Sequence, residues 1–183
     1  MAVDRERVLT EAAALLTRRA TTSMDEIARA AGISRATLHR HFAGRDALIR
    51  ALEEHGIARF ARAMDAARLD EGDAAGALRR LIREAEPVAG VLAFLFTENQ
   101  LFESGPVNAG WARLDARLAA LFRRGQEEGD FRVDLSTAWL TEAFYGLLGA
   151  GAWAVHEGRV AKNDLNHSIA ELLLGGIRRS MEK

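Results

Sequence analysis

TTSMDEIARAAGISRATLHRHFAGRDAL, residues 21–48, carries two short helical signals on either side of a glycine. Ser23 reads as an N-cap, because Met24-Asp25-Glu26 follow and a glutamate three residues past the cap can reach back to the cap's own amide. The first of the two helices therefore starts at Met24, and Met24, Ile27, Ala28 and Ala31 fall at i, i+3, i+4 and i+7 of one face. Gly32 ends it, since a tight exit from a helix calls for positive φ. Ile33 plugs the turn, and Ser34 caps a second helix over 35–41 that Phe42 closes inward.

Ala28 is small where two steeply crossed helices would touch, and Leu38 is its apolar counterpart on the second helix. What remains outward is Ser34, Arg35, Ala36, Thr37, His39, Arg40 and His41. Hydroxyls, imidazoles and arginines suit phosphates and base edges, and an arginine can pair with guanine O6 and N7 at once. Thr22 and Ser23 sit where the free amides of a helix start could meet a phosphate. The outward residues alone would equally describe a basic surface helix. With the cap, the glycine, Ile33 and Phe42 at these spacings, the pattern points to a helix-turn-helix that reads DNA.

The stretch resembles the N-terminal DNA-binding region of the TetR family of bacterial one-component regulators. The resemblance rests on Thr22-Ser23-Met24, Ile27-Ala28, Ala31-Gly32-Ile33-Ser34, Thr37-Leu38, His41-Phe42 and Leu48, and it is dense over residues 8–52. It departs at His39, where the family most often has tyrosine, and at Arg45, where it most often has lysine. Both replacements keep a hydrogen-bonding or cationic group, so they bear on which operator is read. The resemblance implies that Arg45 reaches a phosphate and that the chain is a homodimer on a palindromic double-stranded operator. It also implies a small-molecule effector held in the C-terminal part.

Net charge is −1 over 183 residues, yet its distribution is uneven. Residues 1–52 hold nine Arg or Lys against six Asp or Glu, net +3, and the rest holds sixteen against twenty, net −4. A basic head on an acidic body orients an encounter with phosphate. The chain has no cysteine, which excludes disulfides and thiolate metal sites, and no metal or cofactor is expected. The N-terminus lacks a long apolar signal region and no run approaches a membrane span, so a cytoplasmic protein without membrane contact is expected. Two prolines and much Ala, Leu, Arg and Glu predict an all-α fold, with a DNA-binding domain over 1–48 and a ligand-binding and dimerisation domain over 49–183.

Periodicity places further helices at 4–19, 45–68, 74–86, 88–99, from Pro106 to about Gly129, at 135–157 and from Asp164 onward. The fourth is too long for the head alone and must run into the body. The passage 124–132, RGQEEGDFR, also resembles the TetR regulatory domain. Within the implied pocket, Phe60, Met64, Phe94, Phe96, Phe102, Trp111, Phe122, Trp139, Phe144 and Tyr145 are candidate walls. Glu98, Asn99 and Glu142 are the candidate polar groups, and a buried carboxylate would favour a cation or a hydrogen-bond donor.

The last two helices carry more apolar surface than one chain needs. Leu165, Ile169, Leu172, Leu173 and Gly176, with Gly146 and Gly149 on the preceding helix, are assigned to a four-helix dimer interface as in the family. The glycine cluster at 146–151 asks for a close helix crossing, and a phosphate-binding loop is ruled out because neither a preceding strand nor a following lysine is present. Two alternatives stay open: a DNA-binding protein without an effector, and a helical enzyme using Glu98 or Glu142.

Overall fold

A computed structural model describes residues 5–98 and 106–178, and the described residues are helical with no strand. Nine α-helices follow in order: α1 (Arg5–Arg18), α2 (Met24–Ala30), α3 (Arg35–His41), α4 (Arg45–Ala67), α5 (Ala74–Ala85), α6 (Ala89–Glu98), α7 (Pro106–Glu127), α8 (Thr137–His156) and α9 (Leu165–Ile177). Short 3-10 turns at Glu86–Val88 and Lys162–Asp164 lead into α6 and α9.

The head is set by local chemistry. Ser23 is extended (φ −77°, ψ 158°), its amide donates to Glu26 Oε2 at 2.8 Å, and its Oγ accepts from the Glu26 amide. Together these form a reciprocal capping box worth on the order of 1 kcal/mol. Gly32 exits α2 at φ 66°, which lets the Ile33 amide donate to Ala28 O at 3.0 Å. The Ser34 Oγ then accepts from the Thr37 amide at 3.1 Å and starts α3. Val8, Leu16, Ile27, Ala28, Leu38, Phe42 and Leu48 close a small core beneath these helices.

α4 crosses the expected boundary at residue 48 without a break. Leu48, Ile49 and Leu52 pack in the head, while Phe60 and Met64 are fully buried in the body. Its end and the turn that follows are tied from a distance: Arg80 Nε donates to Ala67 O at 2.7 Å, and Arg124 donates to Leu69 O and Gly72 O, both at 2.7 Å. These two arginines hold the turn from α4 into α5, where Arg68 has left-handed φ (48°).

In the body, α5 and α6 are covered by α7, α8 and α9. The interior glycines of α8 serve crossings within the chain: a Cβ at Gly149 would touch Ala93 of α6, and one at Gly151 would strike Leu165 of α9. At the α7–α8 corner the buried Phe131 ring lies against Gly125, so closely that a Cβ there would clash with the ring carbons.

The apolar faces of α8 and α9 correct the expected interface. Leu165, Ile169 and Leu173 are about 4% exposed and fill the chain's own core, because α9 turns this stripe onto α5 and α8. Gly149 likewise faces α6. Left outward are Gly146 on α8, and Leu172 (65% exposed) and Gly176 on α9. Among the described residues no helix is long and apolar enough to cross a membrane, and no cluster of His, Asp or Glu could hold a metal ion.

Candidate nucleic-acid interface and effector site

α3 buries only Leu38 and presents Ser34, Arg35, Ala36, His39 and Arg40 to solvent, with Thr37 and His41 half-buried. Arg40 and His39 make no ion pair or hydrogen bond among the described residues. Arg35 lies along α2, its guanidinium 3.2 Å from both carboxylate oxygens of Asp25. An exposed pair of this kind contributes about 0–1 kcal/mol, little enough for a phosphate or base to displace. The short α3 therefore stands proud on a fixed support, with a free guanidinium in its last turn.

Two residues expected at phosphates make hydrogen bonds within the chain. Thr22 is 2% exposed and its Oγ1 donates to Arg19 O at 2.6 Å, closing the α1–α2 turn. Arg45 is half-buried; its Nη1 donates to Thr22 O at 2.8 Å and its Nη2 to Ala20 O. The Arg45 fork thus binds the turn preceding α2. Ser23 remains exposed at the start of α2. Glu26 is held down to about 2 by the Ser23 amide first, then by the Ser23 hydroxyl and Arg19, so the capping box is charged at neutral pH.

In the body, Phe60, Phe144, Tyr145 and Trp111 form one aromatic cluster with ring centroids 5.7–6.2 Å apart. Tyr145 Oη donates to Asp115 Oδ1 at 3.1 Å. Asp115 is solvent-exposed on α7; partial desolvation beside Tyr145 raises its carboxyl, and burial followed by that carboxylate pushes the Tyr145 phenol well above its ordinary value. Trp111 Nε1 is buried without an acceptor among the described residues. A surface carboxylate is thus tied through Tyr145 to the outer edge of the aromatic cluster, and an orphaned indole donor lies within it.

The candidate pocket residues are only partly brought together. Phe60 and Trp111 join this wall, while Met64 and Phe94 are buried in the same core and Phe122 packs on Phe131. Trp139 is 61% exposed and Glu142 is also exposed, because both lie on the outer face of α8; neither lines the interior. The side chains of Phe96 and Glu98, and all of Asn99 and Phe102, lie outside the described residues. Asp115 was missed in the sequence, although a carboxylate one turn after Trp111 and beside Leu114 and Leu118 was the available signal.

Residues 8–52 match the model of the bacterial regulatory proteins of the tetR family. Over 173 residues the chain is 34% identical to the HTH-type transcriptional regulator NfxB of Pseudomonas aeruginosa, covering 93% of this chain and 92% of that protein. The chain belongs to the TetR family. It is accordingly a DNA-binding transcriptional regulator, and its relatives are regulators rather than enzymes. It is also 26% identical to the HTH-type transcriptional repressor LfrR of Mycolicibacterium smegmatis, over 94% of this chain and 89% of that one. The crystal structure of LfrR in complex with proflavine shares the fold, with a TM-score of 0.80 at 24% identity over 96% of this chain and 97% of that chain.

Proposed function

We propose that this regulator is an effector-responsive repressor that binds a palindromic operator as a homodimer in the cytoplasm. The observation that carries the reading is the outward face of α3, where Arg40 and His39 are unengaged and Ser34, Arg35, Ala36, Thr37 and His41 surround them. In this reading Arg40 pairs with a base edge, while Ser23 and Arg35 contact phosphate. Thr22 and Arg45 hold the start of α2 in register.

The outer faces of α8 and α9 supply the second copy's seat. Gly146, Leu172 and Gly176 are outward, and the exposed Trp139 extends the patch along α8. An isologous pairing there would set two α3 helices on successive major grooves, about 34 Å apart.

For the effector, the Asp115 carboxylate, joined to Tyr145 at the edge of the four-ring cluster, favours a ligand with a positive charge or a hydrogen-bond donor. Trp111 Nε1 would give to an acceptor on the same ligand. That LfrR holds proflavine supports an aromatic ligand of this kind. Such a ligand lowers operator affinity only by its preference for the conformer with displaced α3 helices, typically about 1–3 kcal/mol.

The test is binding to the DNA upstream of the protein's own gene, at two salt concentrations, with Arg40→Ala beside wild type. The reading expects specific, steeply salt-dependent binding by the wild type and a loss of about 1–3 kcal/mol in the variant. Equal binding by Arg40→Ala at a specific site would overturn the assignment of α3 as the reading helix.

A further inference from the structure

Two hollows adjoin along the seam where α1 of the head meets α6 and α8 of the body, and neither is lined by Trp111, Asp115 or Tyr145. The larger has a volume of about 370 Å³, and its walls are chiefly apolar: Leu16 of α1, Ala93 and Phe94 of α6, Ala152 and Trp153 of α8. That falls within the range of small-ligand sites, roughly 300–1,000 Å³. The smaller, about 270 Å³, shares Thr17, Arg18 and His156 with it and adds Arg59. Thr17 Oγ1 donates across the seam to Gly90 O at 3.1 Å, so the wall between the hollows ties head to body.

The chemistry of the lining is one-sided. Arg18, Arg59 and His156 border the hollows, and among the described residues no aspartate or glutamate does. Neither Arg18 nor Arg59 makes an ion pair among the described residues. Trp153 is 47% exposed, and its ring lies 5.7 Å from that of His156, leaving indole surface open at the mouth. A guanidinium is suited to a carboxylate in a forked pair, an imidazole N–H adds a donor, and an open indole face stacks on planar rings.

We propose that this seam binds a small planar aromatic carboxylate, with its ring against Trp153 and the apolar floor and its anionic group against Arg18 and His156. The site is separate from the Asp115 wall and takes the opposite charge. Because α1, α6 and α8 all contribute, an occupant touches both the DNA-binding head and the body.

The experiment is calorimetric titration of the full chain with 1-naphthoate and with uncharged 1-naphthamide, for wild type, Arg18→Gln, Trp153→Leu and Asp115→Asn. The expected result is one naphthoate per chain, with naphthamide weaker by about tenfold and Arg18→Gln weaker for naphthoate by a similar factor. Trp153→Leu weakens both compounds, and Asp115→Asn leaves naphthoate binding at the wild-type level. Arg18 is exposed, so its variant tests the site without touching the core. Equal affinity for acid and amide, an unchanged Arg18→Gln, loss of binding in Asp115→Asn, or no binding at millimolar naphthoate would each overturn the proposal. Operator binding is not the readout, so failure here leaves the repressor reading standing.

Discussion

The Arg45 guanidinium donates to the Thr22 carbonyl, 23 residues back along the chain, at 2.8 Å. With its second contact on Ala20 O, it spans the turn that aims α2. A planar fork can serve two carbonyls at once, whereas a lysine ammonium keeps the charge without that fixed geometry. Arg45→Lys is therefore expected to weaken operator binding several-fold while leaving the salt dependence of binding unchanged. Anisotropy titrations across a salt series check this; wild-type affinity in the lysine variant would instead indicate a plain phosphate contact.

Asp115 is exposed on α7 and accepts from the Tyr145 hydroxyl, and partial desolvation already disfavours its charge. Asp115→Asn removes that charge with little change of shape. It should leave thermal stability unchanged or slightly higher, and it should weaken release from operator by cationic aromatic compounds by about tenfold, the scale of one charge-assisted hydrogen bond. Release by neutral compounds should change less. A competition assay with one cationic and one neutral aromatic series separates the two.

His55 lies half-buried on α4, its Nε2 without a hydrogen-bond partner among the described residues. Burial lowers its basicity below the ordinary value of 6.5, and Arg59 adds to this, opposed by Glu6. The unfolded chain therefore takes up a proton at higher pH than the folded chain. Its stability contribution is complete above about pH 6.5 and is lost as pH falls through that value toward the depressed one. Denaturant midpoints measured from pH 7.5 to 5 should fall for wild type, and the fall should be smaller for His55→Gln.

Gly125 lies against the Phe131 ring, whose own amide donates to the Gly125 carbonyl at 2.9 Å. Adding a methyl must push the ring outward from a closed corner. Gly125→Ala is expected to destabilise the chain by about 1–3 kcal/mol through overpacking. A matched control, Gly146→Ala, adds its methyl to open space and should be neutral or stabilising in the isolated chain. Thermal melts of the pair decide the point.

What sequence alone could show follows from how far each signal reaches. The α2–α3 unit was legible because its cap, glycine turn and buried Leu38 are all set within about 20 residues. Helix bounds elsewhere agreed to within a few residues, since Pro106, Gly129 and Ser136 act locally. The tie from Arg45 to the Thr22 and Ala20 carbonyls was not legible, because those partners lie 23 and 25 residues away in the chain, which no spacing reports. The inward and outward faces of α8 and α9 were not separable for another reason. Both helices are apolar on more than one side, so periodicity could not tell Leu165 and Ile169, which meet Gly151, from Leu172, which meets solvent. Trp139 followed the same error in reverse.

α4 runs unbroken for 23 residues from the turn below α3 to the aromatic wall of the body. At about 1.5 Å of rise per residue this is a rod roughly 34 Å long. A tilt of about 5° imposed at Phe60, roughly 22 Å along the rod from Arg45, sweeps the Arg45 end through about 2 Å, more than half of the 3.4 Å step between stacked bases. A lever of this length means that an effector need displace its surroundings by only a fraction of an ångström to slide the reading head off its register.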